Sequence, residues 1–154
     1  LSPDAMVAPL AELGAAQPLA LVMGDLNVGH RALDIKNWRG TRKNAGFLPR
    51  ERAYFDRFFG PAGEQVEGAD GSTGTGLGWV DVGRRHAGEV EGPYTWWSMR
   101  GKAFDNDSGW RIDYHVVTPA LAERVTDYRV DRAPSYDTRW SDHSPVIADD
   151  TLGC

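Results

Sequence analysis

The stretch Leu19-Ala20-Leu21-Val22-Met23-Gly24-Asp25-Leu26-Asn27 decides the fold. Five apolar residues, opened by Pro18 and closed by Gly24, form the kind of short continuous run that makes a fully buried strand. Asp25 and Asn27 then stand two residues apart at the strand's C-terminal mouth. Upstream, Pro9–Ala16 reads as the end of a helix with Leu10 and Leu13 on one side. Downstream, Pro49–Phe59 predicts an amphipathic helix: Pro49 suits the first turn, Phe55, Phe58 and Phe59 supply the apolar side, and Gly60 can end it. Gly68–Gly78 is read as a flexible loop that matches neither phosphate-binding glycine motif. Trp79–Val82 is a short buried element. Trp110–Val117 alternates as a strand, with Trp110, Ile112, Tyr114 and Val116 on one face and Arg111, Asp113 and His115 on the other. Thr118 and Pro119 fit the cap and first position of a helix through Arg124, and Val125–Val130 and Pro145–Ala148 are further strands. Strands interleaved with a few helices predict an α/β (α+β) layered domain with no internal boundary or repeat.

Composition narrows the function classes. The chain has 154 residues, 41% hydrophobic and 25% charged, enough for one domain with a core. No apolar run approaches the ~18 residues of a membrane span, and no signal peptide is visible. The single cysteine, Cys154, cannot form an intramolecular disulfide and, at the last position, is not read as a catalytic thiol. The formal net charge of −5 argues mildly against a simple electrostatic nucleic-acid binder, but its distribution is uneven. Lys36, Arg39, Arg42, Lys43, Arg50 and Arg52 share one segment with a single acidic residue, Glu51. A basic strip beside clustered carboxylates suits a metal-dependent phosphodiesterase; on charge alone it equally suits a solvated loop.

Two fragments carry chemistry. In Gly24-Asp25-Leu26-Asn27, Asp25 can orient or deprotonate a water, or give a proton to a leaving oxygen, and Asn27 can hydrogen-bond a phosphate oxygen or that water. Asp and Asn are also common turn formers, so the tetrapeptide alone does not decide. In Ser141-Asp142-His143-Ser144-Pro145, adjacent Asp and His side chains diverge on an extended backbone, so each needs another partner. Asp113 can hold the His143 imidazole in one tautomer and favour its cation, which leaves Asp142 for a metal.

Together, Asp-x-Asn after a strand, a strand-borne Asp and a late Ser-Asp-His resemble the endonuclease/exonuclease/phosphatase superfamily. Further segments narrow the resemblance to its exodeoxyribonuclease III and apurinic/apyrimidinic endonuclease branch: Asp34-Ile35-Lys36-Asn37, Lys43-Asn44-Ala45-Gly46-Phe47, Pro49-Arg50-Glu51-Arg52, Tyr94-Thr95-Trp96-Trp97 and Gly109-Trp110-Arg111-Ile112-Asp113-Tyr114. The resemblance implies half of a four-layer α/β-β/α sandwich of the DNase I-like type, a mixed sheet with flanking helices. It implies a nuclease of DNA repair that cuts double-stranded DNA at abasic sites and trims recessed 3′ ends, in the bacterial cytoplasm, as a monomer when complete.

By the same resemblance Asp25 and Asn27 act on the scissile phosphate and its attacking water, Asp113 orients His143, and His143 contacts the phosphate. Asp142 assists metal binding, so the expected metal set is Asp25, Asn27, Asp142 and His143. Asn37, Lys43, Asn44 and Arg100 are expected to contact DNA. Trp96, Trp110 and Ile112 match an apolar pocket for an extrahelical abasic sugar, which flips out cheaply because its stacking is already lost. Tryptophan also buries large area in cores; Trp97 is read as core and Trp110 stays open between the two. Phosphodiester hydrolysis with oxygen ligands favours Mg²⁺, with Mn²⁺ as substitute, over zinc.

The family's N-terminal half, which normally supplies a metal-binding Glu, an Asn near the metal and a catalytic Tyr, has no counterpart ahead of Leu19 and is expected to be missing. The chain is therefore expected to be the C-terminal part of one domain, impaired alone, with one sheet face lacking its partner layer. Two other readings compete. A phosphomonoesterase or lipid phosphodiesterase of the same superfamily would keep the polar site without the basic strip or tryptophan pocket. A non-catalytic DNA-binding fragment would bind with steep salt dependence and no metal requirement.

Overall fold

A computed structural model describes residues 2–152; Cys154 lies outside the described residues. Helix α1 (Val7–Ala16) leads into strand β1 (Leu21–Asp25), followed by a short helix α2 (Trp38–Thr41) and helix α3 (Pro49–Phe58). Strands β2 (Gln65–Glu67) and β3 (Thr73–Thr75) form a hairpin, and β4 (Val80–Asp81) runs directly into α4 (Val82–Ala87). The chain closes with β5 (Asp113–Val117), α5 (Pro119–Ala122), β6 (Val125–Val130) and β7 (Val146–Asp150).

The α/β class with flanking helices is as expected, but every strand pair among the described residues is antiparallel, where a mixed sheet was anticipated. The central sheet has the order β1-β5-β4, and β6 and β7 pair separately. The register sets Leu21 opposite Val117, Met23 opposite His115 and Asp25 opposite Asp113. Directly opposed residues share a face, with Cβ atoms about 4.5–5.5 Å apart. The pairing therefore delivers the two carboxylates side by side at one end of the sheet.

The two faces of this sheet differ. On one, Tyr114 and Val116 pack with Leu10 of α1, Phe55 and Phe58 of α3, and Trp79. A second cluster joins Val82, Val117, Leu121, Ala122 and Tyr128 beneath α4 and α5. On the other face Leu21 is 46% and Met23 65% exposed. The expected fully buried strand is thus a strand buried on one side: Ala20 is buried and Val22 half-buried, while Leu19, Leu21 and Met23 meet no covering layer among the described residues. An unbroken apolar run does not say how many of its faces are covered in a given stretch of chain.

Other departures are local. Gly68–Gly78, expected to be a flexible loop, contains β3, because Thr73 and Thr75 extend well enough to ladder onto Gln65 and Glu67. The strand expected from Trp110 begins at Asp113, and Trp110 instead makes isolated bridges to Ile35 and Trp96. Thr118 and Pro119 stand at the N-cap and first turn of α5 as expected, but the Thr118 side chain does not cap the helix; its hydroxyl accepts from Ala20 N (3.1 Å) and donates to Pro18 O (2.8 Å), which pins the entry to β1.

Candidate active site

Asp25 ends β1, and its Oδ1 accepts the backbone N–H of Asn27 at 2.8 Å. That bond closes a tight turn in which Asn27 adopts a left-handed backbone, φ +55°, a conformation asparagine tolerates better than most residues. Beyond the turn, Tyr114 Oη donates to Val28 O (2.6 Å) and accepts from His30 N (3.2 Å), anchoring the segment to the buried face of β5. The turn and the sheet register together hold Asp25 and Asn27 beside Asp113.

His143 arrives from the far end of the chain. Trp96 makes one antiparallel bridge to Trp110 and another to His143, so three separate segments lie edge to edge. Adjacent Asp142 and His143 take different partners, although Asp142 lies in a bend and not in an extended run. Asp142 Oδ2 accepts from Trp96 Nε1 at 3.0 Å, while His143 Nδ1 lies 2.9 Å from Asp113 Oδ2. The other imidazole nitrogen, Nε2, lies 3.8 Å from Asp25 Oδ2. Partial burial works against the imidazolium, but the Asp113 bond and the charges of Asp113, Asp25 and Asp142 outweigh it and raise the His143 pKa. The Trp96 hydrogen bond lowers that of Asp142, keeping it ionised.

Asp25, Asp113 and His143 offer ligand atoms that all lie within 4.8 Å of one another, a possible metal site. Its two carboxylates fit a hard divalent cation. The grouping overlaps the expected set of Asp25, Asn27, Asp142 and His143 but draws in Asp113, which was expected only to orient the histidine.

A model of the Endonuclease/Exonuclease/phosphatase family matches residues 4–143. The chain belongs to that family. It is 38% identical over 143 residues to an exodeoxyribonuclease of Bacillus subtilis, covering 93% of this chain and 48% of the relative. It is 34% identical to the DNA repair nuclease APEX1 of Danio rerio, over 89% of this chain and 37% of that protein. Among solved structures, a 3′-5′ exonuclease from Neisseria meningitidis superposes with a TM-score of 0.74 at 27% identity, covering 96% of this chain and 51% of the other. The chain thus spans about half the length, or less, of these relatives.

Within this Endonuclease/Exonuclease/phosphatase chain the remaining expected residues fall into two groups. Trp96 and Trp110 meet edge to face with ring centroids 5.9 Å apart, both half-buried, beside the Asp142 hydrogen bond. Ile112 is buried behind them, and Trp97, read as core, packs with Tyr94 and Phe104. The Lys43–Phe47 turn reaches the same corner: Gly29 N donates to Gly46 O, and a Cβ on Gly46 would lie 2.8 Å from the Trp110 ring. Lys43 and Asn44 are therefore exposed close to the tryptophans. Asn37 is exposed at the start of α2 with φ +58°, and Arg100 is exposed on the loop after Trp97.

The basic strip is thinner than its sequence. Lys36 pairs with Glu91 at 2.8 Å, and Arg52 turns inward, its Nε donating to His30 O with the guanidinium over the Phe47 ring. Arg39, Arg42, Lys43 and Arg50 make no salt bridge among the described residues.

Sequence reasoning passed over Thr95. Its fully buried Oγ1 accepts from Ile112 N (3.0 Å) and Asp113 N (3.2 Å), fixing the backbone that carries Asp113. It also passed over a buried ionic network. Arg111 donates from Nε to Asp34 (2.7 Å) and grips Asp81 through Nη1 and Nη2 (2.8 and 2.6 Å), and Arg84 reaches Asp34 at 2.5 Å. Such a network leaves no periodic signal; an arginine between Trp110 and Ile112, just ahead of β5, is the one available hint.

Proposed function

We propose that the protein containing this chain is a Mg²⁺-dependent DNA phosphodiesterase of base-excision repair, cutting double-stranded DNA at abasic sites and removing nucleotides or blocking groups from 3′ ends in the cytoplasm. One observation carries this: Asp25, Asp113 and His143 converge on one point beside the Trp96–Trp110 corner. The names of the relatives, an exodeoxyribonuclease and a DNA repair nuclease, support the same reading.

In this reading His143 works as a cation. Its Nδ1 is committed to Asp113, and its Nε2–H donates to a phosphate oxygen as a charge-assisted bond. An imidazolium has no lone pair for a metal, so with His143 protonated the cation would be held by the neighbouring carboxylates, Asp25 and Asp113, with Asp142 expected to assist. A bound Mg²⁺, or Mn²⁺ in its place, supplies charge neutralisation at the non-bridging oxygens. Asp25 and Asn27 orient the attacking water, and Trp96, Trp110 and Ile112 receive the baseless sugar. Residues outside this chain complete the metal site and cover the open face of β1.

The test is incision of an end-labelled duplex carrying one abasic-site analogue by the complete protein. Mg²⁺-dependent cutting that EDTA abolishes, and that His143→Ala reduces by ~10²-fold or more, is the expected result. Cutting that persists in EDTA or in the His143→Ala protein overturns the mechanism. Hydrolysis of an inositol phosphate or sphingomyelin with none of the duplex would transfer the protein to another branch of the family.

A further inference from the structure

Trp140 is 86% exposed, two residues before Asp142 in the chain. Tryptophan carries the largest apolar surface of any side chain, so leaving one almost bare is costly without a ligand to cover it. Two residues of chain span at most about 7 Å, so this indole stands on the rim of the site. It is not alone there. The 97–99 and 139–142 segments meet at two points: Trp97 N donates to Asp142 O at 3.0 Å, and Arg139 Nη2 lies 2.8 Å from Met99 Sδ. Met99 is 56% exposed, and Tyr136 is exposed as well. Arg139 braces the group from below, its guanidinium 4.3 Å from the Tyr136 ring centroid and 5.0 Å from that of Phe104. Its Nε and Nη1 are buried without a hydrogen-bond partner, so it acts as a packed strut as much as a charge.

Arg100 and Lys102 are exposed on the same loop as Met99 and make no salt bridge among the described residues, while Asp105, on that loop, and Asp137, ahead of Trp140, are exposed carboxylates. A bare indole plate next to the candidate phosphodiester site, with two free cations on the neighbouring loop, matches the chemistry of an unstacked nucleobase. Bases stack on aromatic side chains with little regard to sequence while cations hold the adjoining phosphates.

We propose that Trp140 stacks on a nucleobase next to the scissile phosphate, with Met99 packed beside it, and so grips the strand at the position where duplex continuity is broken. The inference rests on the DNA-phosphodiesterase reading above. It adds a recognition element separate from the Trp96–Trp110 corner, one that favours gapped, frayed or abasic DNA over intact duplex because only there is a base face free.

The experiment uses the complete protein in EDTA with a duplex containing one abasic-site analogue and 2-aminopurine as its neighbour. Stacking on Trp140 quenches 2-aminopurine on binding. Trp140→Ala is expected to lose that quench and to raise Kd by roughly 5- to 100-fold, the range for losing one base–aromatic stack. In Mg²⁺ the larger share of its loss should fall in KM rather than kcat, and Trp140→Phe should recover most of both signals. If wild type binds and cuts the duplex while Trp140→Ala keeps the quench and the wild-type Kd, the stacking inference is overturned and the phosphodiesterase reading stands. If wild type neither binds nor cuts, both fall, and the plate belongs to a protein partner.

Discussion

At the level of single residues, the proposed chemistry turns on the His143–Asp113 pair, 2.9 Å apart. His143 is only partly buried; desolvation pulls its pKa down, but the Asp113 bond and three neighbouring carboxylates pull it up further. Such a group remains charged to higher pH than a free histidine, and its contribution to stability is full below about 6.5 and fades as pH rises through the folded value. Asp113→Asn removes the bonded charge. The His143 titration, followed by NMR of its ring protons, should move to lower pH, and activity should fall by at least ~10²-fold. An unshifted titration would show that Asp113 does not hold the imidazole. Thr95 invites a different test. Thr95→Val leaves the Ile112 and Asp113 amides facing a methyl group, at a cost of ~1–3 kcal/mol in denaturant unfolding; no loss would mean water has replaced the hydroxyl. Asp25 and Asn27 were legible as candidate polar groups just past a strand, Asp113 as a carboxylate within one, and Asp142 and His143 as neighbours needing separate partners. Thr95 was not, because a buried threonine among aromatics looks like packing until the amides that donate to it are seen.

Elements position those residues through turns more than through long strands. The Lys43–Phe47 turn works only with glycine at position 46, where φ is +88° and any Cβ would press on Trp110 at 2.8 Å and on Asn27 O at 3.0 Å. Gly46→Ala is expected to cost ~1–3 kcal/mol from strain and overpacking together, and to displace Trp110 from its edge contact with Trp96. Urea unfolding measures the first effect; weakened selectivity for an abasic duplex over an intact one measures the second. A variant as stable and selective as wild type would show that the turn yields freely. Sequence pattern located α1, α3, β6 and most of β5, since helices of ten residues with clear apolar sides and strands rich in valine carry strong periodicity. It missed the β2–β3 hairpin, whose six residues include glycine, threonine and glutamate and which bury almost nothing. It also gave β1 a second covered side, because an unbroken apolar run such as Leu19–Met23 does not say how many of its faces are covered.

At the scale of the whole molecule, the Asp34–Arg111–Asp81–Arg84 network ties the segment after β1 to β4, α4 and the approach to β5. Burial alone would raise the Asp34 carboxyl, but the Arg111 and Arg84 guanidiniums bring it down to about 2 from 3.8. A depressed carboxylate stabilises the fold above its unfolded value, and that contribution disappears as pH falls from 3.8 through about 2. Asp34→Asn, which strands two buried cations, should cost ~3–5 kcal/mol near neutral pH. The Tm gap between it and wild type should narrow between those two pH values; a constant gap would place the loss in packing. The open face of β1 poses the complementary question of what the fold lacks. Leu19, Leu21 and Met23 project on one side of the strand, next to the Asp25 that the site depends on. Covering each such side chain is worth ~1.5–3 kcal/mol, so three together drive association even after the entropy of docking is subtracted. These 154 residues alone should therefore self-associate in light scattering across a dilution series, and cut an abasic duplex poorly. Leu21→Glu with Met23→Glu should return them toward monomer, since paired charges on that face penalise any apolar partner. On the proposal that residues outside this chain cover that face, the same double substitution in the complete protein should destabilise the fold and lower activity. A wild-type 154-residue chain that stays monomeric, melts cooperatively and cuts at full rate with Mg²⁺ would show that this sheet needs no second layer and that its site is complete as it stands.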